Sequence, residues 1–190
     1  MKPLRILACL SLALPLSLMS CKPTEFEAGD VESVILEFYA WYIISVKHEQ
    51  YDQYQPAFMP DEQGMTRLDV STYANNLRRF HFSEALIEQE LSFYAVCSEN
   101  VGHIPYETFD QEYVDLDQFE QISCEFGNRY RWFGGMEGSV ERARILTTEV
   151  LTPTEAVVVL ELLDTDDSTI GGRRIILTQT HANWKIHAIE

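Results

Sequence analysis

The stretch AVVVLELL at residues 156–163 decides the fold class of this chain. It is an almost continuously apolar run of strand length, which is the pattern of a strand buried inside a sheet. Turn residues bracket it, at Thr152-Pro153-Thr154 on one side and in the Asp- and Gly-rich segment 164–172 on the other. The sequence therefore predicts an antiparallel meander with strands at Arg142–Val150, Ala156–Leu163, Arg173–Thr180 and Trp184–Ile189.

Upstream of the meander, apolar residues recur at helical spacing instead of alternating. Residues from Val31 to Val46 follow this spacing, so we expect a first helix that is capped by Asp30 and runs to about Lys47. The segment 48–66 is expected to be a loop. A second helix is predicted over Asp69–Arg79, and Ser83 caps a third that ends near Cys97. Helices followed by an antiparallel sheet predict an α+β domain, with N-terminal helices packed on a C-terminal curved sheet.

The first residues have the pattern of an export signal. Lys2 and Arg5 precede an apolar run, Ile6–Leu18, that is too short to span a bilayer core of about 30 Å as a helix. The run ends in Leu18-Met19-Ser20-Cys21, which resembles the lipobox of bacterial lipoproteins. The resemblance implies cleavage before Cys21 and lipidation of that residue. An ordinary secretory signal cut near Ser20 is the alternative.

The export signal sets the expected domain organisation. Residues 1–20 are predicted to be a lipoprotein signal peptide, residues 21–29 a tether, and residues 30–190 a single α+β domain. Lys22 follows the cysteine, and the lipoprotein resemblance therefore implies an outer-membrane location facing the periplasm. Acyl chains on Cys21 would anchor the chain, because each buried methylene adds about 0.8 kcal/mol.

The cysteines are consistent with an oxidising compartment. Cys9 leaves with the signal peptide and Cys21 is the expected lipid site, so Cys97 and Cys124 form one even pair. A disulfide between them is worth about 3–4 kcal/mol in the chain-entropy model. The alternatives are a metal pair or a redox pair, although the chain has no C-x-x-C motif.

The net charge of −16 argues against a nucleic-acid partner and against adhesion to an anionic membrane by charge alone.

The charge is unevenly distributed: residues 21–128 hold 5 basic and 21 acidic residues, whereas residues 129–190 hold 7 basic and 9 acidic residues. Residues 98–128 contain no Lys or Arg. Arg142 and Arg144 are expected on one outer strand, and Arg173 and Arg174 on the other, so that the two pairs flank the apolar central strand. The acidic stretch predicts a surface for a basic protein partner at Glu107, Asp110, Glu112, Asp115, Asp117 and Glu120. Solubility with local ion pairing is the alternative interpretation.

The order of helices and meander resembles the nuclear-transport-factor-like (cystatin-like) roll, and more narrowly a group of uncharacterised bacterial lipoproteins with that fold. The matching residues are Phe38-Tyr39-x-Trp41-Tyr42, Phe82-Ser83-x-x-Leu86 and Trp184-Lys185-Ile186-x-x-Ile189. The resemblance implies a bent sheet that wraps the helices around a cone-shaped cavity. Some members of the wider fold are isomerases or dehydratases, and others bind ligands or proteins.

No motif for catalysis, a metal or a cofactor is evident in the sequence. The histidines lack metal-ligand spacing. Asp164–Thr169 begins like a calcium loop, but Thr169 replaces the required Gly and Ile175 the required Glu. We therefore expect a lipid-anchored periplasmic binding module without catalysis, acting as an immunity-type inhibitor or envelope assembly partner. The alternative is a pocket for a small apolar ligand, with isomerase-like chemistry from a buried carboxylate and a donor such as Tyr.

Overall fold

A long first helix, α1 (Ala28–Lys47), packs along one side of a four-stranded antiparallel sheet built from the C-terminal third of the chain. The computed structural model describes residues 28–124, 127–135 and 140–190. The predicted signal peptide, the tether up to residue 27 and the lipid site Cys21 lie outside the described residues. The last two residues assigned to the tether belong to α1.

The helices follow the predicted pattern with corrections at their ends. α1 ends at Lys47 as predicted, but Asp30 lies in its first turn and is not the N-cap. An acid there still interacts favourably with the positive end of the helix dipole. Ser83 is confirmed as a cap, because its Oγ accepts a hydrogen bond from the Leu86 N–H at 3.2 Å. The other helices are α2 (Tyr51–Tyr54), α3 (Ser71–Arg79), α4 (Glu84–Ser92), α5 (Ala95–Val101), α6 (Tyr106–Glu112), α7 (Leu116–Gln121) and the 3-10 helix Gly127–Phe133.

Two helix predictions were wrong in detail. The second predicted helix begins at Ser71, because Asp69 ends a strand and its carboxylate accepts hydrogen bonds from the Ser71 N–H and hydroxyl. These bonds hold the pKa of Asp69 below its usual value. Cys97 lies inside the separate helix α5 and not at the end of α4. The segment 48–66, expected to be a loop, contains α2 and strand β1 (Ala57–Pro60).

The predicted meander is confirmed. The strands are β3 (Arg142–Thr152), β4 (Glu155–Leu163), β5 (Thr169–Thr180) and β6 (Asn183–Ile189), in the spatial order β3-β4-β5-β6. β5 begins earlier than predicted, because Gly171 and Gly172 continue the pairing with β4. Arg173 and Arg174 therefore lie on an interior strand, and not on an outer one as expected, since β6 forms the far edge. A separate hairpin joins β1 (Ala57–Pro60) to β2 (Thr66–Asp69).

Aromatic side chains fill the space between α1 and the sheet, where the resemblance implies a cavity. Alternate residues of β4, including Val158 and Leu160, are fully buried. Phe38 of α1 meets the ring of Phe82 at 4.8 Å, and Tyr42 meets Phe133 at 4.6 Å. The centre of the domain is therefore packed with side chains.

One edge of the sheet is covered by the segment that leads into α4. The Ser83 N–H donates to the carbonyl of Ile186 at 2.9 Å, and the Ile186 N–H donates to the carbonyl of His81 at 2.7 Å. These two hydrogen bonds join the segment to β6. As a result, α4 and its side chains have a fixed position relative to the sheet.

Candidate functional site

The most acidic surface of the described chain lies on α6, α7 and the connection between them. We call the six carboxylates predicted for partner binding the acidic surface. All six are solvent-exposed: Glu107, Asp110, Glu112, Asp115, Asp117 and Glu120. Val114, in the middle of this segment, is 67% exposed and supplies an apolar side chain among the charges.

An aromatic cluster orders the backbone beneath the acidic surface. Phe109 of α6 is buried, and its ring lies 4.4 Å from that of Phe58 on β1. Phe109 also stacks on Tyr113 at 5.2 Å and meets Phe119 of α7 at 5.9 Å. Burying such rings is among the larger stabilising contributions available to a short segment. The segment that carries the acidic surface is therefore packed against the hydrophobic core of the domain.

The cysteine pair adds a covalent connection to the same region. The sulfur atoms of Cys97 and Cys124 lie 2.06 Å apart, at the distance of a disulfide, and join α5 to the end of the α7 segment. Beside this bond, the Asn100 side chain donates to the carbonyl of Ile122 at 2.8 Å. The two contacts fix the chain immediately after the acidic surface.

The acidic surface is electrostatically unpaired within the described part of the chain. None of its six carboxylates forms a salt bridge there, whereas acids elsewhere do. The arginines singled out on the sheet have local partners. Arg142 pairs with Asp167, Arg144 with Glu161 and Arg174 with Glu190. Arg173 donates to the carbonyls of Phe133 and Gly172.

A buried polar network forms a second candidate site. Glu90 of α4 is fully buried, and its Oε1 accepts hydrogen bonds from the hydroxyls of Tyr73 at 2.9 Å and Tyr94 at 3.5 Å. Its Oε2 forms an ion pair with Nε of Arg131 from the 3-10 helix. Sequence reasoning missed this site. The available signal was an acid on the apolar face of α4, at helical spacing from Leu86 and Ile87.

Burial and neighbouring groups shift the pKa values of Glu90 and Tyr73. Burial raises the pKa of Glu90, and the Arg131 guanidinium and the tyrosine hydroxyls oppose this shift. Burial and the adjacent carboxylate raise the pKa of Tyr73 well above its ordinary value. A buried carboxylate beside tyrosine donors is the combination that isomerase-like chemistry needs. Here both carboxylate oxygens are engaged and shielded from solvent, Oε1 by the two hydroxyls and Oε2 by Arg131.

A groove of about 380 Å³ opens beside Arg131. Its lining includes Arg131, Trp132, Gln89, Leu86 and Ile189. The Arg131 guanidinium lies 4.4 Å from the ring centroid of Phe93 and 5.3 Å from that of Trp132. These contacts and the ion pair with Glu90 hold the guanidinium at the wall of the groove.

The described residues offer no metal centre: among them, no group of three or more His, Cys, Asp or Glu side chains could hold a metal ion. The loop that begins like a calcium site has another role. Asp164 Oδ1 accepts hydrogen bonds from the N–H groups of Asp166 and Ser168, each at 2.9 Å, and so closes the β4–β5 turn.

Comparison of the chain with protein-family models, with curated proteins and with solved structures finds no match. Within the described segments, no helix is long and apolar enough to cross a membrane.

Proposed function

We propose that this protein is a lipid-anchored periplasmic binding module that engages a basic protein partner through its acidic surface. The observation that carries the proposal is the set of six exposed carboxylates without salt bridges in the described chain. An aromatic cluster and a cysteine pair attach the segment that bears them to the core of the domain. An immunity-type inhibitor of an envelope toxin and an assembly partner in the envelope are the two roles that fit this chemistry.

Clustered charge of one sign has two effects on binding. It accelerates encounter with an oppositely charged partner, and it fixes the orientation in which the two surfaces meet. Both effects weaken as salt rises, because the Debye length falls from about 10 Å at 0.1 M to about 3 Å at 1 M. Val114 would supply an apolar contact inside the charged rim, as in many protein interfaces.

The proposed anchor would hold this surface close to the membrane. Residues 22–27 can span at most about 20 Å, since an extended chain covers about 3.3–3.6 Å per residue. In this proposal, the lipid on Cys21 therefore confines the module, and its acidic surface, to partners that pass along the membrane.

The partner proposal is tested by affinity capture from an envelope extract. The baits are the unaltered chain and a variant in which all six carboxylates of the acidic surface are changed to their amides. A matched control changes six exposed acids elsewhere, which gives the same net charge at different positions: Glu37, Asp52, Glu62, Glu88, Glu149 and Glu155. We expect the unaltered chain and the control to capture the same basic protein at low salt, and the acidic-surface variant to lose it. Equal capture by both variants, or none by the unaltered chain at any salt concentration, would refute the proposal.

The anchor is tested separately by metabolic labelling with a radiolabelled fatty acid. We expect the unaltered chain to incorporate the label and Cys21→Ala to lose it. Continued labelling of Cys21→Ala would show that Cys21 is not the lipid site.

A further inference from the structure

The groove beside Arg131 has the chemistry of a ligand site that is independent of the acidic surface. Arg131 Nε is buried against Glu90, so the 24% of the Arg131 side chain that solvent reaches belongs to its other atoms. A guanidinium carries five N–H donors in a planar fork, and one partner at Nε leaves the terminal nitrogens available. Arg131 can therefore hold Glu90 on one side and an acceptor in the groove on the other.

Trp132 provides a second, independent observation. Its side chain is 4% exposed, and the residue lines the groove. Its indole N–H is buried, yet it has no acceptor among the residues that the structure describes. A buried donor without an acceptor costs about 1–3 kcal/mol, so such a group needs an explanation. The indole therefore lies at the wall of the groove in a position where its N–H resonance can report on a bound molecule.

The charged side chains at the groove are paired, despite the acidity of the whole chain. Arg131 is paired with the buried Glu90, and the side chain of Glu190 at the rim is paired with Arg174 at 2.7 Å. An anion entering the groove therefore meets the Arg131 donors without facing an unpaired side-chain carboxylate. Leu86 and Ile189 form an apolar wall beside these donors. Donors next to an apolar wall suit a molecule that has a carboxylate at one end and an apolar body at the other.

We propose that this groove binds a small organic carboxylate, with the Arg131 fork as donor, Trp132 at the wall beside it, and Leu86 and Ile189 against the apolar body. Glu90, Tyr73 and Tyr94 are positioning residues. By holding Nε of Arg131, they fix the guanidinium before the ligand arrives, so less freedom is lost on binding. The proposal does not depend on the partner proposed for the acidic surface.

Phenylacetate is a suitable probe, with phenylacetamide as its neutral counterpart. The readout is the indole N–H resonance of Trp132 in NMR spectra of the full chain, assigned by its loss in Trp132→Phe. We expect phenylacetate to shift this resonance saturably, and phenylacetamide to shift it much less. The absence of a saturable shift with phenylacetate, or equal shifts with both probes, would overturn the proposal.

Two variants make the test independent of folding. Arg131→Lys keeps the charge but removes the fork, and we expect it to raise the Kd for phenylacetate about tenfold. Gln89→Glu places a new charge at the exposed rim without touching the Glu90 pair, and we expect it to weaken binding as well. Gln121→Glu, an equally exposed change on α7, is the matched control and should leave the Kd unchanged. An unchanged Kd in both Arg131→Lys and Gln89→Glu would show that the probe binds elsewhere.

Discussion

The sheet and the acidic surface differ in whether their charged side chains are paired. On the sheet, arginines and acids meet in pairs such as Arg144 with Glu161 and Arg174 with Glu190. On α6 and α7, six exposed carboxylates lie without a salt bridge in the described chain. The unpaired negative charge of this protein is therefore unevenly distributed over the surface of the described chain. It is concentrated where no neighbouring residue neutralises it, and there it is available to a partner.

The two regions also differ in how they are stabilised. The sheet is held by a large core in which Val158, Leu160 and Ile175 are fully buried. The acidic surface rests on one aromatic cluster around Phe109 and on the cysteine pair. Perturbations should therefore affect the stability of the two regions to different extents.

Removal of the cysteine pair should have the largest effect. For Cys97→Ala with Cys124→Ala, we expect a loss of about 3–4 kcal/mol in the free energy of unfolding, measured in urea. Amide hydrogen exchange over residues 95–124 should rise beyond the general increase that the lower free energy of unfolding causes in β4. A uniform rise in exchange across both regions would show that the two regions do not depend on different contacts for their stability.

Glu90→Gln should have an intermediate effect that depends on pH. We expect it to cost about 1–3 kcal/mol at low pH, because the Gln amide places N–H donors against the hydroxyls and the guanidinium that donate to the Glu90 carboxyl group. Burial raises the pKa of Glu90 in the folded state, so its carboxyl binds a proton more tightly there than in the unfolded chain. The contribution of this group is then fully present below its unfolded pKa and is lost as pH rises through the folded one.

The measurement is urea unfolding of both proteins over a series of pH values. Relative to Glu90→Gln, the unaltered chain should become less stable as pH rises above the ordinary glutamate range. A difference that stayed constant with pH would mean that Glu90 has an ordinary pKa in the folded protein.

Removal of a surface ion pair on the sheet should change stability only slightly. Arg174 and Glu190 are both about half exposed, so Arg174→Gln should cost about 0–1 kcal/mol. Thermal unfolding at low and high salt checks this value. A much larger loss would show that ion pairs are a main source of stability in the sheet, beside its buried core.

The smallest effect on stability is expected for the six-amide variant of the acidic surface. Exposed carboxylates without salt bridges contribute little to folding, so the free energy of unfolding should change by no more than about 0.5 kcal/mol. Urea unfolding of this variant and of its matched control should give overlapping curves. A large loss in the acidic-surface variant alone would assign these residues a structural role.

Elements that are defined by residues close together in sequence could be predicted, whereas arrangements of residues far apart in sequence could not. Local signals were sufficient for the meander, because the turns at Pro153 and around Asp164 and the apolar run of β4 are all contiguous in sequence. Helix α6 was missed because it is short and buries only Phe109, which is too little to show a helical period. The six acids could be assigned to an exposed surface because they lack basic neighbours in sequence.

The Glu90 network could not be predicted, since its members are brought together only by the fold. Tyr73, Glu90 and Arg131 come from α3, α4 and the 3-10 helix. No spacing rule links residues so far apart in sequence. Only the position of Glu90 on an apolar helix face hinted that this acid is buried with partners.

The central claim is that the partner binds the acidic surface and not the sheet, and site-specific photo-crosslinking in living cells tests it most directly. A photoreactive amino acid is placed at Val114, which is 67% exposed, or at Leu146 on edge strand β3, which is 55% exposed. The account predicts a crosslinked adduct with a basic envelope protein from position 114 and none from position 146. An adduct from position 146 without one from position 114 would contradict it.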